Sequence, residues 1–168
     1  MKTLAIIPAR YGSTRLPAKP LLDIAGTPLV QHVWEKVARA KGVDEIIVAT
    51  DNSRICDVVT RHSGTAMMTS LSCRNGTERC AEVARKLKEY ALIINVQGDE
   101  PIISPKTIDR VVTALKQDKC TDISTAAFPY RFSDLAQINS PHIVKVVLDI
   151  NGYALYFSRA LIPSPARI

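Results

Sequence analysis

The sequence predicts an α/β fold in which helices flank a mixed, mostly parallel sheet. Three observations indicate this class. Uninterrupted apolar runs, typical of fully buried strands, begin near residues 4, 45 and 91. Helical patterns alternate with these runs, which implies right-handed crossovers between parallel strands. Asn151-Gly152, between two apolar runs near the end of the chain, predicts one antiparallel hairpin.

The strands are predicted from runs that are rich in β-branched residues and bounded by polar or turn residues. The run at 91–96 is the most strand-like of them, and it ends directly in a polar motif. The pair of runs around Asn151-Gly152 is expected to form the hairpin. In chain order the predicted strands span residues 4–7, 45–50, 66–69, 91–96 and 122–128, followed by 144–149 and 153–157.

The helices are predicted from apolar residues at helical spacing between a capping residue and a glycine or polar stop. Pro17 and Pro20 are expected to keep the first loop out of helix. Thr27 is then expected to cap the first helix, with Pro28 at its first position. The predicted helices span about 29–41, 53–62, 76–90 and 104–116.

The composition is typical of a globular protein that binds an anion. The chain has 168 residues, 46% of them hydrophobic and 23% charged, which fits one domain over residues 1–168. Its net charge of +6 suits an anionic ligand. Because the cations form no run and no aromatic-rich strand offers a stacking platform, nucleic acid is not an expected partner.

Cysteine usage and the N-terminal residues predict the compartment. The four cysteines include no Cys-x-x-Cys pair, so a zinc site or a disulfide framework is not expected. The apolar run after Lys2 is too short for a signal peptide or a membrane span. We therefore expect a cytoplasmic protein with reduced thiols.

The loop after the first strand has the residues of a polyphosphate site. Arg10, Arg15 and Lys19 supply fixed positive charge, and Gly12 to Thr14 between them offer backbone amides and hydroxyls, Ser13 included. Ligands of open parallel sheets lie beyond the carboxyl ends of the strands. Since neither G-x-G-x-x-G nor G-x-x-x-x-G-K-[ST] is present, a dinucleotide oxidoreductase and a P-loop NTPase are not favoured. A solvated basic loop is the alternative interpretation.

Two further motifs follow or open predicted elements. Asp99 comes after Gly98 at the end of the strand 91–96, where a carboxylate is a natural Mg²⁺ ligand, although a turn carboxylate is an equal alternative. The segment Gly76–Arg79 opens a helix and offers a modest anion site, although simple helix initiation is the favoured explanation of this segment alone. Lys145, inside a strand pattern, is either an inward charge or an edge-strand lysine.

Together these motifs resemble a known family. Residues 7–20 are similar to the signature loop of sugar-activating nucleotidyltransferases. The chain matches, in the same order, five further motifs of the 3-deoxy-manno-octulosonate cytidylyltransferases, at residues 47–51, 76–79, 96–101, 144–147 and 156–159. The resemblance implies the Rossmann-like nucleotidyltransferase fold, also called the nucleotide-diphospho-sugar transferase fold. It further implies transfer of CMP from CTP to 3-deoxy-D-manno-octulosonate (Kdo), giving CMP-Kdo and pyrophosphate for lipopolysaccharide biosynthesis. A cytidylyltransferase for another sugar acid, such as sialic acid, is the alternative within this enzyme class.

The resemblance also implies a role for each matching residue. Arg15 and Lys19 are expected to be catalytic, stabilising charge while the α-phosphorus is attacked, and Asp99 is expected to bind Mg²⁺. Gln97 and Arg79 are expected beside the sugar acid. The residues expected to hold the nucleotide are Arg10, Ser13, Gly76, Thr77 and Glu78. Because the nucleophile is the anomeric hydroxyl of Kdo, catalysis is expected to consist of positioning and electrostatics.

The chain departs from the family pattern in two ways. Asn75 stands where a serine commonly precedes the Gly-Thr-Glu-Arg motif. Family members are also considerably longer, and the part beyond Ile168 is expected to carry a second acidic metal ligand, further Kdo contacts and much of a homodimer surface. If these residues were the whole protein, we would expect a truncated nucleotide-binding domain with turnover below about 1 s⁻¹.

Overall fold

The structure is a computed structural model that describes residues 1–12, 16–130 and 138–162. The chain forms two compact units, Met1–Ser124 and Thr125–Ile168. The single domain expected from the length stays a prediction for the chain as a whole. Within the described ranges, no helix combines the length and the apolar character needed to cross a bilayer.

The first unit is built on a four-stranded parallel sheet that consists of β1 (Thr3–Ala9), β4 (Glu45–Thr50), β5 (Thr65–Met68) and β6 (Leu92–Asn95). The order of the strands in the sheet is β5-β4-β1-β6. A separate two-stranded antiparallel pair joins β2 (Asp23–Ile24) to β3 (Thr27–Pro28). The parallel sheet confirms the predicted fold class, and all four of its strands were predicted.

Strand β1 lies in the middle of the sheet and is covered on both faces. Its residues alternate between two apolar clusters, because successive side chains of a strand point to opposite faces. Ala5 and Ile7 belong to one cluster, whereas Leu4 and Ile6 belong to the other. Each fully buried aliphatic side chain of this kind contributes roughly 1.5–3 kcal/mol through removal from water. The carboxyl end of β1 is therefore a rigid support for the loop that follows.

Four helices cover the sheet: α1 (Leu29–Val37), α2 (Ser53–Arg61), α3 (Gly76–Lys86) and α4 (Pro105–Gln117). The first, second and fourth helices supply buried residues to the cluster around Ala5 and Ile7. Helix α3 packs on the opposite face, where Cys80 and Val83 contact the cluster around Leu4 and Ile6. Layers on both faces are what an all-parallel sheet requires.

The structure differs from the prediction at three places. Residues 122–128, which span the boundary of the two units, form no strand, and Ile123 and Phe128 are 83% and 78% exposed, so burial does not stabilise a strand there. Helix α1 has no side-chain cap, because Thr27 and Pro28 are paired in β3 instead. Lys19–Leu21 forms a 3₁₀ helix despite Pro20, which is tolerated in a first turn because its missing amide hydrogen is not needed there.

The second unit contains the predicted hairpin, formed by β7 (Lys145–Leu148) and β8 (Ala154–Ser158). Gly152 at the turn has φ 88°, which favours glycine, and the amides of Asn151 and Tyr153 donate to Asp149 Oδ1. Lys145 Nζ donates to the backbone carbonyls of Ser140 and Ile143 at 3.0 and 2.9 Å. Among the described residues β7 is an edge strand of a two-stranded sheet and Lys145 is half-buried, so both alternatives for Lys145 stay predictions.

Candidate active site

A pocket of about 660 Å³ lies where the strands of the first unit end. It brings together residues from the loop after β1, the N-terminus of α3 and the segment after β6. Its lining residues are Pro8, Ala9, Arg10, Leu16, Lys19, Pro20, Cys73, Arg74, Asn75, Gly76, Arg79, Gln97, Gly98 and Asp99. This is the position in which open parallel sheets bind ligands.

Two glycines let the pocket walls close on the end of β1. A Cβ at Gly98 would lie 2.7 Å from the carbonyl oxygen of Pro8, a distance that real structures do not tolerate. A Cβ at Gly76 would lie 3.1 Å from Cγ of Pro8. Small residues are therefore required where α3 and the segment after β6 approach β1, and this approach places Asp99 in the pocket.

Lys19 and Asp99 form an ion pair within the pocket. Lys19 Nζ donates to Asp99 Oδ2 at 2.7 Å, and the two side chains are 38% and 51% exposed. The loop after β1 supplies the cation, and the segment after β6, the neighbouring strand of the sheet, supplies the carboxylate. A partly exposed pair of this kind is worth about 0–1 kcal/mol, so it can open for a ligand at little cost.

Arg79 lines the pocket but is buried and held by the protein. Its Nη2 donates to Asp51 Oδ2 at 2.8 Å, and its Nη1 donates to Thr69 Oγ1. The side chains of Arg79 and Asp51 are only 3% and 11% exposed. A direct contact between Arg79 and a sugar acid, as the resemblance implied, would compete with these two bonds.

The N-terminus of α3 is capped by the residue that departs from the family pattern. Asn75 Oδ1 accepts from the amide of Glu78 at 2.9 Å, the bond that a serine would also provide at this position. The substitution of asparagine for serine therefore keeps the helix start intact.

Glu78 is occupied by a neighbouring arginine. Its carboxylate accepts from the guanidinium of Arg74 and from the Arg74 amide, and these bonds hold the pKa of Glu78 below its usual value. Arg74 lines the pocket, whereas Thr77 and Glu78 are not among its described lining residues. Sequence reasoning missed Arg74, although a cation two positions before the glycine that opens a predicted helix is a usable signal.

Glu82, a second carboxylate on α3, anchors residues 70–73, which precede that helix. It accepts from Lys86 Nζ and from the Ser70 amide, both at 2.9 Å, and Cys73 Sγ lies 3.4 Å away. The Lys86 ammonium and, after it, the Ser70 amide lower the pKa of Glu82 to about 2. Glu82 was not singled out from the sequence, although Lys86 at i+4 was a usable local signal; the bond to the Ser70 amide depends on folding.

The pocket gathers six of the predicted site residues: Arg10, Lys19, Gly76, Arg79, Gln97 and Asp99. Arg15 and Ser13 lie outside the described residues, so their predicted roles stay predictions. Gln97 lines the pocket and donates through Nε2 to Asn95 Oδ1 at 3.1 Å. The residue types gathered here, cations beside one carboxylate and two carboxamides, suit a phosphorylated ligand.

The donor set around Asp99 suits only one kind of metal site. In the part of the chain that the structure describes, no three acidic, histidine or cysteine side chains are grouped so that they could surround an ion. Asp99 is one half-exposed carboxylate paired with Lys19 of the loop after β1. Mg²⁺ commonly binds through one or two carboxylates, substrate phosphates and water, which fits this arrangement, whereas Zn²⁺ or Ca²⁺ would require more protein ligands.

The chain is similar to cytidylyltransferases along almost its whole length. Residues 4–168 match the family described as Cytidylyltransferase. The chain is 48% identical over 165 residues to the 3-deoxy-manno-octulosonate cytidylyltransferase of Desulfosudis oleivorans, covering 97% of this chain and 66% of that protein. It is 50% identical to the enzyme of that name from Idiomarina loihiensis, of which it covers 64%. The chain thus spans about two thirds of the length of the curated relatives it matches.

Solved structures agree with this family. A CMP:2-keto-3-deoxy-manno-octonic acid synthetase complexed with CTP superposes with a TM-score of 0.88 at 40% identity, covering 99% of this chain and 67% of that one. The 4-diphosphocytidyl-2C-methyl-D-erythritol synthase of Anaerococcus prevotii, at 18% identity and a TM-score of 0.56, shares the fold. The chain therefore belongs to the cytidylyltransferase family, in its 3-deoxy-manno-octulosonate cytidylyltransferase group.

Proposed function

We propose that this protein transfers CMP from CTP to Kdo, forming CMP-Kdo and releasing pyrophosphate. The observation that carries the proposal is the pocket in which Arg10, Lys19 and Asp99 meet, with Lys19 Nζ 2.7 Å from Asp99 Oδ2. Cations and a carboxylate at the ends of adjacent parallel strands are what a nucleoside triphosphate and its metal require. The choice of CTP and Kdo is supported by the names of the relatives and by the CTP that the similar solved structure contains.

In the proposed reaction the anomeric hydroxyl of Kdo attacks the α-phosphorus of CTP. The bond from that phosphorus to the bridging oxygen breaks, pyrophosphate leaves with the bond electrons, and the hydroxyl proton passes to solvent or a phosphate oxygen. Arg10 and Lys19 bind the phosphates and offset the negative charge that moves onto the leaving pyrophosphate. Arg15 is proposed to act with Lys19, and Gln97 to hydrogen-bond the sugar acid. No protein nucleophile is needed, so positioning and electrostatics carry the rate.

Mg²⁺ is part of this proposal, with Asp99 as the residue that would hold it. The ion would supply positive charge to the phosphate oxygens. Gly98 supports this assignment, because its close approach to Pro8 brings the Asp99 carboxylate to the side of the pocket where Arg10 and Lys19 lie.

Binding of nucleotide without turnover is the second candidate function. The observation in its favour is the ion pair of Asp99 with Lys19, because it engages the carboxylate that a metal would need. The 3-deoxy-manno-octulosonate group of relatives argues against sialic acid as the acceptor, through similarity alone.

The experiment that tests the function is a pyrophosphate-release assay. CTP, UTP, ATP and GTP are each combined with Kdo and with sialic acid, with and without MgCl₂. The proposal predicts release only with CTP, Kdo and Mg²⁺ together. CTP binding by calorimetry without any release of pyrophosphate would favour the non-catalytic candidate. A further arm combines UTP with a sugar phosphate, and release of pyrophosphate there would refute both candidate functions.

The proposal extends to assembly and to cellular role. We propose a cytoplasmic homodimer that serves lipopolysaccharide biosynthesis. The hairpin of the second unit supports an interface, since Leu148, Tyr156 and Phe157 are all exposed there. Light scattering coupled to size-exclusion chromatography gives the mass in solution, and a mass equal to that of one chain would refute the dimer.

A further inference from the structure

The buried ion pair between Asp51 and Arg79, of which Arg79 lines the pocket, connects the ends of two strands to the start of a helix. Asp51 directly follows β4, and Arg79 lies in the first turns of α3. Arg79 also donates to Thr69 Oγ1, and Thr69 follows β5. The Thr69 hydroxyl in turn donates to the Thr50 carbonyl at 2.9 Å, so the network is tied to the backbone of the sheet.

The second carboxylate oxygen of Asp51 binds the loop after β1. Asp51 Oδ1 accepts from the backbone amide of Tyr11 at 3.0 Å, while its Oδ2 accepts from Arg79. The carbonyl of Tyr11 accepts from the amide of Ala18 at 3.0 Å, which joins the two described ends of the loop. The neighbours of these two residues in sequence are Arg10 and Lys19.

The buried location makes this connection stiff. A charge pair at 3% and 11% exposure is not screened by solvent as a surface pair is, and loss of one partner leaves the other charged and unpaired. Both oxygens of Asp51 and two nitrogens of Arg79 are used in the described bonds. Recruitment of Arg79 by an anion in the pocket would break two of these bonds.

We propose that Asp51 and Arg79 are positioning residues that hold Arg10 and Lys19 in place for an anionic ligand without touching it. Asp51 binds the amide of Tyr11, and the carbonyl of Tyr11 binds the amide of Ala18. These bonds restrain Arg10 and Lys19, which are the adjacent residues in the chain. This inference rests on the proposed function for the identity of the ligand, whereas the connection from Asp51 to the loop is independent of it.

The variant Asp51→Asn tests the connection in the ligand-free protein. The carboxamide has one acceptor oxygen for two donors, and we expect the charged guanidinium of Arg79 to take it. Amide hydrogen exchange should then become faster by about tenfold or more at Tyr11 and Ala18, the change expected from loss of one hydrogen bond. In the double variant Asp51→Asn/Arg79→Gln the oxygen is released, and exchange at Tyr11 should return toward the wild-type rate.

The same variants are then titrated with pyrophosphate and with CTP. Asp51→Asn should weaken both by about tenfold, and the effect should be smaller when Lys19→Met is already present, because part of it acts through Lys19. Val112→Ala, in the core under α4, is the control that lowers stability without altering the network. It should leave both affinities unchanged.

The outcomes separate the two levels of the inference. If Asp51→Asn leaves exchange at Tyr11 and Ala18 unchanged, or if its effect on pyrophosphate simply adds to that of Lys19→Met, the positioning role is refuted. If the wild-type protein binds pyrophosphate but not CTP, the proposed function fails while the positioning role stands. Should Asp51→Asn not fold, Thr69→Val removes one bond of Arg79 and the bond to the Thr50 carbonyl, but no charge. It should show the same pattern at smaller size, and absence of that pattern would refute the proposal.

Discussion

Lys19 Nζ lies 2.7 Å from Asp99 Oδ2, so the cation proposed for phosphate and the carboxylate proposed for metal neutralise each other in the ligand-free pocket. A metal ion bound alone and a metal ion bound with nucleotide therefore affect this ion pair differently. A metal alone must draw Asp99 away from Lys19, whereas a triphosphate with its metal supplies a new partner to each. The pair is thus a source of coupling between nucleotide binding and metal binding.

The first prediction concerns this coupling. Lys19→Met keeps much of the side-chain length but removes the charge, so Asp99 loses its competitor. Without nucleotide, we expect Mn²⁺ or Mg²⁺ to bind about two- to fivefold tighter, the size of one exposed ion pair. With Mg²⁺ present, CTP should bind at least about tenfold weaker, because a charge-assisted contact is lost. Isothermal titration calorimetry measures both affinities.

The control for this prediction is Lys116→Met, which makes the same change in net charge at the end of α4. It should move neither affinity. A Lys19→Met protein that binds metal alone less tightly than wild type would contradict the competition between Lys19 and the ion.

The second prediction concerns the close approach of Gly98 to β1. Gly98→Ala places a Cβ 2.7 Å from the Pro8 carbonyl oxygen, and backbone atoms on both sides resist the shift. We expect the free energy of unfolding to fall by about 1–3 kcal/mol, the usual cost of overpacking. Because Asp99 is the next residue, metal binding should weaken as well. Denaturant unfolding and metal titration test the two effects.

Gly12→Ala is the matched stability control, since no atom lies within 4 Å of a Cβ at that position. It should change the free energy of unfolding by about 0.5 kcal/mol or less. Equal stability losses in the two variants would mean that the contact with Pro8 is not the cause.

The sequence predicted the sheet well because its physical signal is local. Buried parallel strands are continuous apolar runs, and Leu4 to Ile7 shows this pattern without any knowledge of its neighbours. The run at 122–128 interrupts its apolar residues with Ser124 and Thr125 and forms no strand, because pairing with a partner strand depends on tertiary contacts that the local pattern does not reveal. Thr27 failed as a helix cap for a related reason, since pairing with Ile24 competes for it.

The site residues likewise divide into those that the local sequence predicts and those whose role depends on tertiary contacts. Arg10, Lys19 and Asp99 were predicted from residue type and position at strand ends, and the pocket gathers them. Arg79 was matched to a family motif, but its burial and its bond to Asp51 depend on residues 28 positions apart, which no spacing rule identifies. Glu82 went unnoticed because its bond to the Ser70 amide depends on how the loop folds, and its bond to Lys86 alone is an ordinary helix pair.

The third prediction locates the ligand by cysteine protection. Cys73 lines the pocket, whereas Cys120 is exposed and is not among the pocket residues. Pyrophosphate or CTP should slow alkylation of Cys73 by N-ethylmaleimide and leave Cys120 unaffected. Burial raises the pKa of Cys80 to about 12, so Cys80 should react only after unfolding. Peptide mass spectrometry after timed alkylation gives the three rates, and equal protection of Cys73 and Cys120 would place the ligand elsewhere.

The fourth prediction concerns acid stability and follows from Glu82. Lys86 and then the Ser70 amide lower the pKa of Glu82 to about 2 in the folded protein, from an ordinary value of 4.5. The unfolded chain therefore binds the proton more readily between pH 4.5 and 2, so stability rises with pH across this range. The contribution is fully present above pH 4.5 and is lost as the pH falls through about 2.

Glu82→Gln removes this titration, so we expect the unfolding midpoint of the variant to change less steeply with pH between 4.5 and 2 than that of wild type. The amide of Ser70 should also exchange faster at neutral pH, because a neutral carboxamide is a weaker acceptor than the carboxylate. Glu89→Gln, the same chemical change three residues after the end of α3, should leave both properties as in wild type. Thermal unfolding followed by circular dichroism at a series of pH values gives the slopes. If the curves of Glu82→Gln and wild type run parallel across the range, the anchoring role of Glu82 is wrong, and the segment from Ser70 to Cys73 must be held at the pocket by other contacts.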